Sequence, residues 1–248
     1  MTATTTEVLS AEKVSAGYGP QQVIHDIDIR VNAGEVVALL GANGAGKTTT
    51  LLALSGVLPL HSGTVSYDGK SVKSPMYKRS RKGLSYVTEE RSVFKTMSTI
   101  DNLRCGSVSV DEVLALFPEL EKRLHVRGGL LSGGEQQMLS LGRALARNPR
   151  VLLVDELSLG LAPLVVERLL KAVRAATQER ECGVLLVEQH ARKALVYADR
   201  VYVMRRGRLE MQLTAAEARR RIGEIEASYL SGRVASTEDA EVSADPAE

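Results

Sequence analysis

A run of five apolar residues, Val36-Val37-Ala38-Leu39-Leu40, leads straight into Gly41-Ala-Asn-Gly-Ala-Gly46-Lys47-Thr48. The run is continuous rather than alternating, which is the pattern of a strand covered on both faces. The eight residues after it satisfy G-x-x-x-x-G-K-[ST], and the stretch beyond them reads as a helix. This order restricts the fold to an α/β arrangement with a phosphate loop. Glycines let backbone N–H groups close around phosphate oxygens, helped by the positive end of the following helix. Lys47 is placed to reach β and γ phosphates, and Thr48 to offer its hydroxyl to Mg²⁺. The candidate set for a nucleoside triphosphate is therefore Gly41, Asn43, Gly44, Ala45, Gly46, Lys47, Thr48 and Thr49. A plain glycine-rich turn would not require a buried strand before it and a helix after it.

The remainder of the chain fits such a sheet. Val151–Val154 and Val184–Val187 are two further apolar runs, each adjoining a helix-like stretch. Strands alternating with helices predict a parallel sheet with helices on both faces. Val23–Val31 alternates, with Ile27, Ile29 and Val31 on one side, and reads as an edge-type antiparallel strand after the Gly17-Tyr-Gly-Pro20 turn. Residues 89–130 lack buried runs and show short helical patches such as Asp111–Phe117. A mainly helical subdomain inserted at about residues 89–148 is expected. The ends differ: 1–7 is Thr-rich, without the basic and apolar regions of a signal peptide, and is expected to be flexible. Residues 233–248 carry acidic residues without periodicity and are expected to be disordered.

Composition excludes several functions. With 248 residues there is room for one large domain or two small ones. The 32 basic and 30 acidic residues nearly cancel, to +2, so no charge excess argues for nucleic acid or an anionic membrane surface. Aromatics are 4%, with no Trp, which disfavours base stacking. Cys105 and Cys182 provide neither a disulfide framework nor metal-ligand spacing, and fit a reducing cytosol. No apolar run approaches the length of a membrane span, so any membrane role requires a partner.

Three further segments carry chemistry. Val151–Val154 ends in Asp155-Glu156, where Asp155 could hold Mg²⁺ and Glu156 could polarise an attacking water; taken alone, a carboxylate at a strand end is as readily a helix cap. Val184–Val187 leads into Glu188-Gln189-His190. His190 alone reads as a structural or surface histidine, and beside a phosphate loop as a sensor of the γ-phosphate. Leu131-Ser132-Gly133-Gly134-Glu135-Gln136-Gln137 precedes a helix. Ser132 and Glu135 make a capping box, whereas Gly133-Gly134 leave the helix start bare, which suits an anion.

Residues 131–137 resemble the signature motif of ABC transporter ATP-binding subunits. The phosphate loop, the signature, the strand ending in Asp155-Glu156 and His190 occur in that family's order, and the resemblance runs from Leu9 to about Leu230. It implies a P-loop ABC-type nucleotide-binding domain at 8–232 with an antiparallel β subdomain and the inserted helical subdomain. It implies that Tyr18 stacks on adenine, that Glu156 is the general base, and that His190 is the switch histidine. It also implies a head-to-tail dimer in which Ser132, Gly133, Gly134 and Glu135 of one subunit meet ATP held by the other. Within the family, Tyr86–Phe94, Ser132–Leu139, Ser158-Leu-Gly-Leu-Ala-Pro163 and Val187–His190 resemble the smaller ATPase subunit of branched-chain amino acid importers, a subgroup that includes carriers of urea and short amides.

That resemblance implies ATP and Mg²⁺ as ligands and a second ATP-binding subunit, identical or paralogous. It further implies a membrane permease, indirect action with an external solute-binding protein, and a cytoplasmic position on the inner face of the membrane. Four departures stand out. Glu89 occupies the position usual for Gln, as it often does in this subgroup, still offering oxygen toward Mg²⁺ or water. Thr88 and Glu90 replace Pro and Gly. Leu157 replaces the Pro that nearly always follows the base, so the next loop is expected to be less rigid. The segment between Leu103 and Leu114 is about a dozen residues shorter than expected of the family. The alternatives are a soluble ABC ATPase without a permease, disfavoured by the lack of coiled-coil insertions or a second cassette, and a catalytically silent regulatory subunit. A kinase would leave the signature unexplained.

Overall fold

A computed structural model describes residues 6–230; the expectations for residues 1–5 and for the acidic tail at 233–248 lie outside the described residues. In chain order the strands and helices are β1 (Glu7–Tyr18), β2 (Gln21–Asn32), β3 (Val36–Leu40), α1 (Lys47–Ser55), β4 (Leu60–Tyr67), β5 (Lys70–Ser71), α2 (Met76–Ser80) and β6 (Leu84–Val87). There follow α3 (Thr99–Cys105), α4 (Val110–Leu116), α5 (Gly133–Leu145), β7 (Val151–Asp155), α6 (Pro163–Arg180), β8 (Gly183–Glu188) and α7 (Ala191–Tyr197). The order closes with β9 (Arg200–Arg205), β10 (Arg208–Thr214), α8 (Ala215–Arg220) and α9 (Ile222–Leu230).

The strands form two sheets. One has the order β10-β9-β3-β8-β7-β6, with β9, β3, β8, β7 and β6 mutually parallel and β10 antiparallel at an edge. The other is antiparallel, β2-β1-β4-β5, so the alternating segment at Val23–Val31 does lie in an edge strand. All five residues of β3 are buried, as its unbroken apolar run requires.

The two faces of the parallel sheet are covered differently. Val36, Ala38 and Leu40 point with Leu152, Val154 and Leu186 into a core shared with Leu139, Leu145, Leu169 and Val173 of α5 and α6. Val37 and Leu39 point the other way, with Leu153 and Leu185, toward Leu51 and Leu54 of α1 and the antiparallel sheet. Helices on both faces were expected; instead α1 shares the second face with β1, β2 and β4. The physical reason lies in the alternating strands, whose single apolar face (Ile24, Ile27, Ile29, Val31) must be buried and finds that site here.

Between β6 and β7 the described chain contains α3, α4, α5 and two short 3₁₀ turns, at Pro118–Arg123 and Gly128–Leu130. Ser98 and Ser109 cap α3 and α4 through their side chains, accepting from the amides of Asp101 and Glu112. The ring of Phe117 anchors this region. It is fully buried beside Val113, against Gly142 of α5, where an added Cβ would lie 2.7 Å from Val113 and 3.3 Å from the ring. The Arg168 guanidinium of α6 covers the ring at 5.1 Å while its Nε bonds Glu119 at 2.9 Å. Truncating this ring removes a large buried volume that neighbouring helices can refill only in part. Phe117→Ala is expected to cost about 3–5 kcal/mol, measured as a fall in the urea midpoint at unchanged m-value.

Candidate functional site

Parallel pairing brings the strand ends to one level. Leu40 of β3 pairs with Glu188 of β8, and Asp155 of β7 pairs with Val187. Ligands in open α/β sheets bind beyond such carboxyl ends, and the loop from Gly41 to Gly46 leaves β3 there. Two of its glycines are required by contact. A Cβ on Gly41 would lie 2.5 Å from the Met204 carbonyl oxygen, and one on Gly46 would lie 2.9 Å from Ile24 Cγ2. Gly46 also has φ +106°, a conformation that favours glycine. As N-cap of α1 it contributes no side chain, so the helix start is open to an anion. The turn after β9 buttresses the loop, since the Gly207 amide donates to the Ala45 carbonyl at 2.8 Å.

A pocket of about 350 Å³ is lined by Asn43, Gly44, Gly46, Lys47, Thr48, Thr49, Glu89 and Glu156, with Val23 and Leu159 at its margin. Larger cavities exist; this one collects the chemistry. The Lys47 side chain is almost wholly buried and its ammonium donates to the Ala42 carbonyl at 3.2 Å while pairing with Glu156 Oε1 at 3.2 Å. Glu156 adopts φ +43°, unusual for a residue with a Cβ, and its amide donates to the Val187 carbonyl at 3.0 Å. Strained conformations of this kind cluster where surrounding structure fixes a functional group.

Asp155 lies under the pocket, 1% exposed. Its Oδ2 accepts from the Tyr86 hydroxyl at 3.3 Å, the Thr48 side chain lies beside the carboxylate, and its Oδ1 is buried without a hydrogen-bond partner among the described residues. Burial pushes the Asp155 carboxyl up to about 6, reinforced by the negative charges of Glu156 and Glu89 and opposed by the polar Thr48 and Tyr86 side chains. The same surroundings raise the Tyr86 hydroxyl, first through burial and then through Asp155. An orphaned, buried carboxylate oxygen beside a threonine hydroxyl is a fit for a hard divalent cation. No group of three or more His, Cys, Asp or Glu side chains among the described residues could cage a metal alone.

Other expected site residues lie elsewhere. Tyr18, half-exposed, ends β1. Ser132 caps α5: its Oγ accepts from the Glu135 amide at 3.3 Å and its own amide donates to Glu135 Oε2 at 2.8 Å, while Arg123 pairs with Glu135 at 2.7 Å. Gly133 and Gly134 have an internal reason as well as an open helix start, because Cβ atoms there would lie 2.9 Å from the Arg91 guanidinium and 3.0 Å from Val165. Ser132–Glu135 are not among the residues lining the pocket.

His190 is exposed, occupies the N-cap position of α7 without capping it, and, like Ser132–Glu135, does not line the pocket. Leu185 and Val187 face the α1 side of the sheet; the alternation of β8, continued one residue past its end at Glu188, would put the half-buried Gln189 on that side. Two further residues were given no role by the sequence reading. Tyr86 and Glu188 fell within the importer-like segments Tyr86–Phe94 and Val187–His190 without a chemical assignment; for Glu188, a carboxylate ending an otherwise apolar strand was the available signal. Leu157 is 1% exposed in the helical-side core, and Ser158 after it is bonded to Glu188, so the loop expected to be looser is held from both sides.

Comparison with known proteins agrees with this geometry. Residues 24–158 match the family model described as ABC transporter. The chain is 43% identical over 219 residues to the high-affinity branched-chain amino acid transport ATP-binding protein BraG of Pseudomonas aeruginosa, covering 84% of this chain and 94% of the relative. It is 32% identical to the lipopolysaccharide export system ATP-binding protein LptB of Escherichia coli K12, covering 84% and 91%. Among solved structures, an ATP-binding subunit of an ABC transporter superposes with TM-score 0.74 at 27% identity, covering 91% of this chain and 97% of that one. An ABC transporter cassette in its ADP conformation gives 0.80 at 22%, covering 91% and 99%.

The buried Asp155 makes stability depend on pH. Between the ordinary aspartate value and about 6, the folded chain binds more protons than the unfolded one, so stability falls as pH rises through that window. Asp155→Asn cannot ionise and escapes the fall. Its stability relative to the parent chain should grow by up to about 3 kcal/mol between about pH 4 and about pH 7. Urea unfolding of both proteins across that range checks this, and a difference independent of pH would contradict it.

Proposed function

The chain belongs to the ABC transporter family as an ATP-hydrolysing, ATP-binding subunit, and from that membership we propose that it drives an importer of branched-chain amino acids or related amino acids and amides. The identity to BraG, 43% against 32% for the LptB export protein, carries the choice of import and of substrate class. ABC ATPase subunits work with permease components. The partners proposed here are a second ATP-binding subunit, a membrane permease and, through it, an external solute-binding protein. Among the described residues no helix is long and apolar enough to cross a membrane, and the chain would act on the inner face of the membrane through its permease.

In this reading the triphosphate lies along the loop at Gly41–Gly46, with its β and γ phosphates on Lys47 and the first amides of α1, and the adenine against the exposed ring of Tyr18. Mg²⁺ would be held by Thr48 and Asp155, with Glu89 at the margin, and supplies neutralisation of the charge developing on the phosphates. Lys47 now pairs with Glu156. A phosphate chain competes for that ammonium and leaves the carboxylate able to orient a water and accept its proton. Ser132 to Glu135 of a second subunit would close over the γ-phosphate, since these residues do not line the pocket in their own chain. The inserted helical region at about 89–148 is proposed as the part that carries this motion outward. A cleft lined by Met76, Ser80, Tyr86, Ser92, Arg143 and Arg147 adjoins the half-exposed Phe94 and gives the permease a surface beside Glu89–Leu103.

Steady-state ATPase activity of the purified chain with Mg²⁺ tests the motor. Specific activity is expected to rise with protein concentration, and Glu156→Gln should lower kcat by about 10²–10⁴-fold with nucleotide binding retained. Gln189→Ala is expected to impair turnover more than His190→Ala. The reverse order would assign the sensor role to the histidine.

A further inference from the structure

At the end of β8 a carboxylate with no place in the proposed chemistry is committed to a single neighbour. Glu188 is 1% exposed. Its Oε1 accepts from the Ser158 amide at 3.1 Å and its Oε2 from the Ser158 hydroxyl at 2.8 Å. One residue earlier on the same strand, the Val187 carbonyl accepts from the Glu156 amide at 3.0 Å. Three hydrogen bonds therefore run from the two residues ending β8 to the turn Glu156-Leu157-Ser158, and both carboxylate oxygens are used. Between the two pinned positions the Leu157 side chain is buried in the helical-side core.

The turn needs such restraint. Glu156 sits at φ +43°, a conformation that relaxes unless its flanks are fixed. Two residues beyond Ser158, Gly160 is again left-handed, at φ +67°, and Leu159 between them lines the pocket and is half-exposed. The backbone thus reverses twice within five residues, with Ser158 as the bonded point between the reversals. Keeping an ionisable group here is unfavourable, because burial pushes the Glu188 carboxyl up to about 7, with the negative charge of Glu156 adding and Ser158 and Lys193 opposing. A bidentate acceptor nonetheless matches the two donors of one serine, whereas an apolar residue would leave both unpaired in a dry site.

We propose that Glu188 is a positioning residue for hydrolysis: by accepting both hydrogen bonds of Ser158 it fixes the turn that presents Glu156 to the phosphate loop, and joins that turn to the segment carrying Gln189. This rests on the reading of Glu156 as the base. Glu188 itself does not line the pocket and is shut off from solvent. It sets the angle at which the neighbouring carboxylate meets the γ-phosphate, and small displacements of such a group cost turnover far more than binding.

The test compares the full-length chain with Glu188→Ala, Glu188→Gln, Ser158→Ala, the Ser158→Ala/Glu188→Ala double variant and Glu156→Gln. Glu188→Ala is expected to lower kcat about tenfold or more while the KM for ATP changes less than about twofold. Glu188→Gln keeps one acceptor oxygen and should recover part of the loss. The double variant should be no slower than Glu188→Ala, because the two residues act as one unit. Amide hydrogen exchange supplies a readout independent of turnover and of whether the isolated chain is active: residues 156–160 should exchange faster in Glu188→Ala and, more mildly, in Glu188→Gln, with β3 unchanged. Unchanged kcat in Glu188→Ala, or unchanged exchange at 156–160, overturns the proposal, as does a double variant whose losses multiply. Full turnover in Glu188→Ala with loss in Glu156→Gln removes the clamp and leaves the base. Full turnover in both removes the base, and the clamp with it.

Discussion

The register of three parallel strands is the constraint on which everything at the site depends. Leu40, Glu188 and Asp155 end β3, β8 and β7 within one residue of a common level, and each strand then releases a different chemical element: the glycine loop, the Glu188 segment and the Asp155-Glu156 pair. A slip of one residue in β7 would turn Asp155 to the opposite face and lose its contact with Thr48. Slippage is resisted because each strand is apolar on both faces, with Leu152 and Val154 in one core and Leu153 in the other. The hydrophobic ladder thus locates polar groups that it never touches.

The charge arrangement follows from this placement. Three carboxylates, Asp155, Glu156 and Glu89, face one side of the loop, and Lys47 is the cation lining the same pocket. Burial first, and then the negative charges of Glu156 and Glu89, raise the Asp155 carboxyl, so its ionised form, the one that suits a cation, is the form that costs the fold stability.

Much of this was legible in the sequence because it is local. The loop from Gly41 to Thr48, the capping box at Ser132 and Glu135, and the apolar runs of β3, β7 and β8 are patterns over a few neighbouring residues, and the fold returns them as read. The second face of the sheet was not legible, because the destination of an alternating strand depends on partners far along the chain. Glu188 and Tyr86 lie in short family-like segments that say nothing of their contacts, which are made 30 and 69 residues away in sequence, with Ser158 and Asp155.

The pairing of Lys47 with Glu156 has a consequence for how variants of such a site are read. The ammonium that should grip phosphate is the counterion of the carboxylate that should activate water, so the two properties are linked reciprocally. In the proposed chemistry, neutralising the carboxylate would halt proton transfer and, by the same stroke, release the lysine from its competitor. Tight retention of nucleotide by a chain altered at Glu156 therefore reports two events together: a reaction arrested, and a grip strengthened before any reaction began.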